Sequence, residues 1–309
     1  MMAEKPFISV VTATRNRVAL LRQALLSIAA QDFQDYEAII VDDGSDQEFQ
    51  EQYDSLLREL PSQFKLHRAR PAGQLGTGPG AARNVGIRVA QGEYVAFLDD
   101  DDVWLQTDHL AVAAESLRKR NADFFFSNMQ AVRNGEVVSD NWFPNLPQLT
   151  SGEKVDDRGD VYLLSPKTIV LLAMRQGGHP DGWVVRRSLL NELNGFWEMM
   201  EMGEVYELFA HVLDRANGVL YRPIPTVSYR LPEGDSVSLK FTRLEEYLQQ
   251  ATNSLHVRAT CRNPWMLRCS RAGFSWSLRN IALLMLRNYP EMFSTFSAEK
   301  SVFTQRLGS

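Results

Sequence analysis

The sequence predicts an α/β fold in which helices flank a mostly parallel sheet. Short apolar runs that suit buried strands alternate with segments whose apolar residues recur at helical spacing. Polar residues suited to metal or nucleotide binding follow three of these runs. In a parallel sheet, the turns that follow such strands meet at one edge and form a crevice. A binding site is therefore expected at that edge.

The first hundred residues contain four predicted strands with helices between them. The strands are 7–11, 36–41, 64–67 and 94–98, and the helices run through 20–28, through 49–57 and onward from 81. Glycines 73, 76, 78 and 80 form a loop before the last of these helices. This loop lacks the lysine of a P-loop and the spacing of a dinucleotide fingerprint, so it identifies no site by itself.

The second half of the chain has a more mixed pattern. Apolar spacing predicts helices over 110–117, 168–174, 187–193 and 203–213, and a strand over 123–127. Residues 139–165 are rich in Pro, Gly and Asp, which predicts a long loop or lid. Residues 223–229 predict an edge strand, because proline is tolerated there.

Composition excludes several classes of protein. The 309 residues carry a net charge of -5, which argues against a general nucleic-acid binder. The N-terminus does not resemble a signal peptide, and no apolar run has the length of a membrane span. Cys261 and Cys269 could pair, but two cysteines do not form a disulfide framework. The sequence therefore predicts a cytoplasmic protein.

Four consecutive aspartates, Asp99 to Asp102, directly follow the fourth predicted strand. Like charges packed so closely resist burial, and a solvated acidic turn would explain an isolated run. Here the run lies at the carboxyl end of a buried-type strand, where α/β sheets bind ligands. Divalent cations such as Mg²⁺ and Mn²⁺ take carboxylate ligands and share them with substrate phosphates. The run is therefore interpreted as a cation site.

Four motifs occur in a characteristic order: 9–16 (SVVTATRN), 40–46 (IVDDGSD), 80–87 (GAARNVGI) and 92–94 (GEY) leading into the acidic run. With them the chain resembles a family 2 glycosyltransferase of the GT-A fold, over about residues 7–230. The resemblance implies inverting transfer of a sugar from a nucleotide donor, usually a UDP-sugar, to a glycan or lipid-linked acceptor. It divides the chain into a nucleotide-sugar half (1–105), an acceptor half (106–235) and a helical extension (236–309).

The resemblance also implies roles for individual residues. Asp99 and Asp101 match the outer positions of the family's D-x-D motif and would hold Mn²⁺ or Mg²⁺, with Asp101 in direct contact and Asp99 on the ribose or a metal-bound water. The residues implied to contact the nucleotide are Thr12, Ala13, Thr14, Arg15, Asp43, Arg83, Asp99 and Asp100. Two alternatives stay open. Asp42 or Asp43 could only shape its turn, and Arg83 could be a surface helix residue.

At the catalytic base the sequence departs from the family's pattern. In the family an acid at the start of a helix takes the proton of the acceptor hydroxyl, but the best alignment places Val205 there. Glu204, one residue earlier, is the predicted base, although a helix N-terminus favours acidic residues for electrostatic reasons alone. Glu201, Asp181 and His179 are the reserve candidates.

Residues 256–288 carry six arginines and no acidic residue, with apolar and Trp side chains interleaved. Such a segment could contact an anionic membrane surface, or it could pack on the catalytic domain or form a homodimer. Two rivals to a glycosyltransferase also stay open. One is a nucleotidyltransferase, and the other is a nucleotide-sugar or glycan-binding protein without catalytic activity.

Overall fold

The protein is described by a computed structural model that covers residues 5–144, 146–156, 160–175, 178–200, 203–232 and 242–288. It has two compact units, Met1–Glu233 and Gly234–Ser309.

The first unit alternates strands with helices through its first half. Its strands are β1 (Ile8–Thr14), β2 (Tyr36–Asp42), β3 (Phe64–Arg68), β4 (Tyr94–Phe97), β5 (Val103–Trp104), β6 (Phe124–Arg133), β7 (Glu136–Ser139), β8 (Glu153–Asp156), β9 (Val161–Leu163), β10 (Trp183–Arg186) and β11 (Val219–Arg230). Its helices are α1 (Val18–Ala29), α2 (Gln47–Arg58), α3 (Pro79–Val89), α4 (His109–Arg120), α5 (Pro166–Arg175), α6 (Arg187–Glu192) and α7 (Glu204–Arg215). Two short 3₁₀ helices span Pro147–Thr150 and Pro180–Gly182.

The strands form one mixed sheet in the order β3-β2-β1-β4-β10-β6-β11-β9-β8, with β5 beside β11 and β7 beside β6. Strands β1 to β4 pair in parallel, as do β6 and β11, while β10 is antiparallel to both neighbours. The predicted α/β fold with a mostly parallel sheet is confirmed. From β1 the chain moves outward to β2 and β3 and then returns to place β4 on the other side of β1. The carboxyl ends of β1 and β4 therefore flank a topological switch point, where such sheets bind ligands.

Helix α3 lies unusually close to the sheet. A Cβ atom on Gly86 would lie only 2.3 Å from Cγ1 of Val11 in β1, so any larger residue would push the helix away. Because Arg83 lies one turn earlier on α3, this close contact also sets the height of the Arg83 side chain above the sheet.

Two predictions about the second half were wrong. Residues 223–229 do not form an edge strand, because β11 pairs with β6 on one side and with β9 and β5 on the other. Its prolines are accommodated where the register with β6 shifts, on either side of Pro225. The predicted loop over 139–165 contains β8 and β9, which pair with each other and extend the sheet. Strands of three and four residues are too short to show a clear alternation.

The second unit contains α8 (Arg243–Thr260) and α9 (Pro264–Asn288), which pack together as a helical pair. Helix α8 begins with a capping box, in which Thr242 Oγ1 accepts from the backbone N–H of Glu245 and Glu245 accepts from that of Thr242. The rings of Tyr247 and Trp276 meet edge to face at 5.6 Å between centroids. The predicted C-terminal helical appendage is thus present. Among the helices that the structure describes, none has the length and apolar character needed to cross a bilayer.

Candidate active site

The acidic turn leaves the end of β4, and its four carboxylates point to different partners. Asp99 faces Arg83, Asp100 faces Thr14 and Arg17, Asp101 faces Arg17, and Asp102 accepts from the backbone N–H of Arg230. Asp100 and Asp102 are buried, whereas Asp101 keeps 34% of its side chain exposed. Separate partners explain how four like charges can lie side by side.

Arg83 joins Asp99 to Glu204. Its Nη2 lies 2.6 Å from Asp99 Oδ2 and 2.7 Å from Oδ1, its Nε lies 3.0 Å from Oδ1, and its Nη1 lies 3.3 Å from Glu204 Oε1. The guanidinium is buried and lies 5.3 Å from the centre of the Phe196 ring. The alternative that Arg83 is a surface helix residue is therefore wrong.

Glu204 begins α7 and approaches Arg83 across α3. A Cβ on Gly80 would lie 3.0 Å from Glu204 Cγ, so a small residue is needed at that point of α3. Burial raises the pKa of the Glu204 carboxyl, although the charge of Arg83 acts in the opposite direction. Glu204 is thus a buried acid held beside the acidic turn, with its carboxylate directed toward the same cluster as Asp99.

Asn84 ties α3 to the segment that leads into α7. Its side-chain amide donates to the carbonyl of Phe196 at 2.8 Å, and its carbonyl oxygen accepts from the Phe196 N–H at 2.8 Å. Gly195 has a φ of +68°, and a Cβ there would lie 2.1 Å from Asn84 Oδ1. Glycine is required at this position, both for the backbone angle and for the close approach.

Asp100 connects the acidic turn to the end of β1. Its Oδ2 accepts from Thr14 Oγ1 at 2.7 Å, and its Oδ1 lies 3.2 Å from Arg17 Nη1. Burial, and next the charge of Asp101, raises the pKa of Asp100 to about 7. Its carboxylate is buried and fixes Thr14 through this hydrogen bond, and the predicted contact between Asp100 and the nucleotide stays a prediction.

Asp43 organises the glycine-rich loop. Its carboxylate accepts from Thr77 N at 2.7 Å, Thr77 Oγ1 at 2.8 Å and Gly78 N at 3.0 Å. A Cβ on Gly76 would lie 2.7 Å from Asp43 Oδ2 and 3.2 Å from Arg15 Cδ, so these residues form a second cluster.

Asp42, in contrast, shapes its own turn. It is fully buried, accepts from the backbone N–H of Ser45 at 2.9 Å and from Gln50 Nε2 at 2.8 Å, and so has the structural role left open for it.

His179 and Asp181 lie beside Asp99, and sequence reasoning considered them only as reserve bases. His179 Nε2 lies 3.9 Å from Asp99 Oδ2, and His179 Nδ1 lies 3.4 Å from Asp181 Oδ2. Oδ1 of Asp181 accepts from the Asp99 backbone N–H at 3.0 Å. Burial opposes the charged form of His179, but the Asp181 carboxylate outweighs it and raises the His179 pKa. No local sequence signal could have found this placement, because it follows from the antiparallel pairing of β10 with β4.

The predicted site residues therefore fall into two groups. Arg83, Asp99 and Glu204 meet with His179 and Asp181 at the acidic turn. Thr14 lies at the end of β1 and reaches this turn through Asp100, with Thr12 and Ala13 preceding it in that strand, while Arg15 and Asp43 face the glycine-rich loop. The reserve candidate Glu201 lies outside the described residues.

The cluster fits a divalent cation. One ligand atom from each of Asp99, His179 and Asp181 lies within 4.8 Å of the others. The Asp181 carboxylate is fully buried and contacts the buried Asp102 carboxyl as well as His179. Two carboxylates and an imidazole supply the oxygen and nitrogen donors that first-row divalent metals take.

Comparison with known proteins finds similarity to glycosyltransferases. The model of the family described as Glycosyl transferase family 2 matches residues 9–159. Succinoglycan biosynthesis protein ExoW of Rhizobium meliloti is 36% identical over 112 residues, covering 36% of this chain and 33% of ExoW. Poly(ribitol-phosphate) beta-N-acetylglucosaminyltransferase TarS of Staphylococcus aureus is 32% identical over 172 residues, covering 54% of this chain and 28% of TarS. The matches thus span a third or less of either relative.

Solved structures give the fold. The crystal structure of S. aureus TarS 1–349 in complex with UDP-GlcNAc matches with a TM-score of 0.63 at 21% identity, covering 92% of this chain and 73% of that one. Mannosyltransferase PcManGT from Pyrobaculum calidifontis, in complex with GDP-Man and Mn²⁺, matches with a TM-score of 0.54 at 16% identity, covering 96% of this chain and 85% of that one. Residues 9–159 of the chain match the glycosyl transferase family 2 model, and the protein has the GT-A fold.

Proposed function

We propose that the protein is a metal-dependent glycosyltransferase that moves a sugar from a nucleotide donor, a UDP-sugar, to a glycan or lipid-linked acceptor with inversion. The observation that carries the proposal is the chain of contacts from Glu204 through Arg83 to Asp99 at the carboxyl end of β4. It gives one cleft both a buried acid and a cation-binding carboxylate. The family match and the TarS complex with UDP-GlcNAc support the donor class.

The donor's nucleoside lies along the end of β1. Residues 12–15 form one wall and the glycine-rich loop, held by Asp43, forms the other. Asp43 then contacts the nucleoside directly, or it positions Thr77 and Gly78 for that contact through the hydrogen bonds that it accepts from them. Asp100 acts indirectly, since its bond to Thr14 fixes the shape of the wall.

Of the two aspartates predicted to hold the divalent cation, Mn²⁺ or Mg²⁺, Asp99 would bind it directly, and Asp101 lies on the exposed side of the acidic turn beside Arg17. A bound cation stabilises the negative charge of the diphosphate leaving group. Arg83 supports this arrangement because its ion pair holds the Asp99 carboxylate in place and because it supplies positive charge close to the diphosphate.

Glu204 takes the proton of the acceptor hydroxyl. The hydroxyl oxygen bonds to the anomeric carbon, the bond from that carbon to the diphosphate oxygen breaks, and the proton passes to the Glu204 carboxylate. Burial raises the pKa of this carboxyl, which makes it a stronger base than an exposed glutamate. The charge of Arg83 acts in the opposite direction on this pKa and favours the ionised carboxylate.

The acceptor and cellular setting belong to the same proposal. Residues 256–288 contain six arginines and no acidic residue, which suits peripheral contact with the anionic cytoplasmic face of a membrane. A lipid-linked acceptor would be presented at such a surface. Self-association through the same segment gives a homodimer as the alternative.

Product analysis tests this function. The protein is incubated with Mn²⁺ and a panel of nucleotide sugars, and nucleoside diphosphate and pyrophosphate are measured separately. A glycosyltransferase releases UDP from one donor, at a rate raised by acceptor. Pyrophosphate release would instead establish a nucleotidyltransferase, and tight UDP binding without any slow donor hydrolysis or transfer would establish a binding protein.

A further inference from the structure

Two side chains next to Asp99 have no assigned role in the proposed reaction. His179 presents Nε2 toward Asp99 Oδ2 at 3.9 Å, and Asp181 contacts the Asp99 backbone N–H through Oδ1 at 3.0 Å. Ligand atoms of all three residues lie within 4.8 Å of one another. His179 and Asp181 come from the 3₁₀ turn before β10, so the cluster joins two separate parts of the chain.

The buried ligand atoms of this cluster lie against another acidic side chain. Asp181 is fully buried, and its carboxylate contacts both the buried Asp102 carboxyl and His179, whose Nδ1 lies 3.4 Å from Asp181 Oδ2. Two buried carboxylates in contact repel each other when both are ionised, and a cation removes that repulsion.

The positions of both side chains are fixed from outside the cluster. Trp104 Nε1 donates to the Asp181 carbonyl at 2.9 Å, which holds the 3₁₀ turn against β5. The Tyr229 ring lies 4.5 Å from the His179 ring between centroids, and the Trp142 ring lies at 6.4 Å. Preorganised ligands of this kind are typical of built metal sites.

Asp101 stands apart from the cluster. Its Oδ2 lies 3.0 Å from Arg17 Nη1, and it is not among the three residues whose ligand atoms converge in the described part of the chain. Asp99 keeps free acceptor capacity, since a carboxylate has about four lone-pair positions and Arg83 donates three hydrogen bonds to it. Asp99 can therefore accept hydrogen bonds from Arg83 and coordinate a cation at the same time.

We propose that His179 and Asp181 are direct ligands of the divalent cation together with Asp99. The protein then contributes one imidazole nitrogen and carboxylate oxygens, and the donor's diphosphate completes the coordination. This inference rests on the proposed function for the diphosphate. Mg²⁺ prefers an all-oxygen environment, so a nitrogen ligand favours Mn²⁺ over Mg²⁺.

Pulsed electron paramagnetic resonance of the full chain with Mn²⁺ and UDP tests the ligands directly. A ¹⁴N coupling to Mn²⁺ reports the histidine, and a ³¹P coupling reports the diphosphate. The proposal predicts both couplings, and in protein labelled with ¹⁵N-histidine the ¹⁴N signal is replaced by a ¹⁵N signal. His179→Ala should abolish the nitrogen coupling and weaken Mn²⁺ binding at least about tenfold, whereas His67→Ala, at an exposed site on β3, should change neither.

Asp181→Asn provides a second variant that keeps the hydrogen bond to the Asp99 N–H, and it should weaken Mn²⁺ binding by a similar factor. Bound Mn²⁺ with a ³¹P coupling but without a histidine coupling in the wild type would overturn the inference and leave the proposed function intact. A histidine coupling without a ³¹P coupling would support the ligand assignment and contradict the proposed function. Absence of Mn²⁺ binding would overturn both.

Discussion

Arg83 holds Asp99 by a bidentate ion pair, with Nη2 at 2.6 Å from Oδ2 and Nε at 3.0 Å from Oδ1. The same guanidinium contacts Glu204 at 3.3 Å through Nη1. One buried arginine thus sets the distance between the carboxylate proposed to bind the cation and the carboxylate proposed to act as base.

Replacing this arginine should destabilise the protein strongly. Arg83→Met leaves Asp99 and Glu204 without their shared cation, and removing one partner of a buried pair costs about 3–5 kcal/mol. Urea unfolding at pH 7.5 with EDTA measures the loss. Arg88→Met is the matched control on α3, where the side chain is 62% exposed, and it should change the free energy of unfolding by less than about 0.5 kcal/mol. Equal stability of the two variants would show that Arg83 does not hold the cluster together.

Glu204→Gln should separate catalysis from binding. The amide keeps the size of the side chain but cannot accept a proton, so turnover should fall by ~10²–10⁴-fold while donor affinity stays within a few-fold. Steady-state kinetics measures the turnover, and UDP titration measures the affinity for the nucleotide. Glu201→Gln, three residues earlier, should leave turnover unchanged.

The reserve candidates give a different pattern. His179→Ala and Asp181→Asn should lower Mn²⁺ and donor affinity as well as turnover, because both residues are proposed as metal ligands. The base would be a reserve residue if Glu204→Gln turned over normally and the variant of that reserve residue lost turnover while it still bound the donor.

Asp43→Asn should weaken UDP binding by about 1–3 kcal/mol, the range for a lost hydrogen bond to a charged group. Thr77→Val shows how Asp43 acts, since it removes only the 2.8 Å bond from Thr77 Oγ1. If Asp43 contacts the nucleoside itself, Thr77→Val should bind UDP almost normally. Calorimetric titration of both variants decides this. A lower melting temperature with unchanged UDP affinity in Asp43→Asn would mean that this residue only shapes the loop.

Stability should depend on pH through Asp100. Burial raises its pKa to about 7, far above the value in the unfolded chain. Between these two pKa values the Asp100 carboxyl is protonated in the folded state and ionised in the unfolded state. Asp100 therefore contributes to the free energy of unfolding at low pH, and this contribution is lost as pH rises toward 7. Asp100→Asn keeps an acceptor for Thr14 but does not titrate.

The check is the free energy of unfolding of wild type and Asp100→Asn from pH 4 to pH 8, in EDTA. The wild type should lose up to about 1.4 kcal/mol per pH unit relative to the variant between about pH 5 and pH 6, and the loss should level off above about pH 7. A constant difference between the two proteins would mean that folding does not raise the pKa of Asp100.

The alternation of apolar runs was enough to predict β1 to β4 and the position of β4 after a crossover, since β1, β2 and β4 are buried along nearly their whole length. The sequence could not reveal that β11 is an interior strand, because its prolines lie where the register with β6 shifts. Strands β8 and β9 were missed because they are too short to show a period.

The sequence predicted part of the candidate site, and the rest depends on contacts between residues distant in sequence. Arg83, Asp99 and Glu204 were each singled out from the sequence, and the structure brings the three side chains together. That Asp100 faces inward while Asp99 faces Arg83 depends on partners distant in sequence. The placement of His179 and Asp181 beside Asp99 follows from the antiparallel pairing of β10 with β4, which local pattern does not encode.

The central claim is that a cation at Asp99 links the protein to a nucleoside diphosphate. Calorimetric titration of UDP into the full chain, with Mn²⁺ and then with EDTA, tests it most directly, with Asp99→Asn and Glu93→Gln compared under both conditions. The account predicts that UDP binds tightly only with Mn²⁺, that Asp99→Asn abolishes the Mn²⁺-dependent part, and that Glu93→Gln, just before β4, binds like the wild type. Equal UDP affinity with and without Mn²⁺, or an unchanged Mn²⁺ effect in Asp99→Asn, would contradict the account.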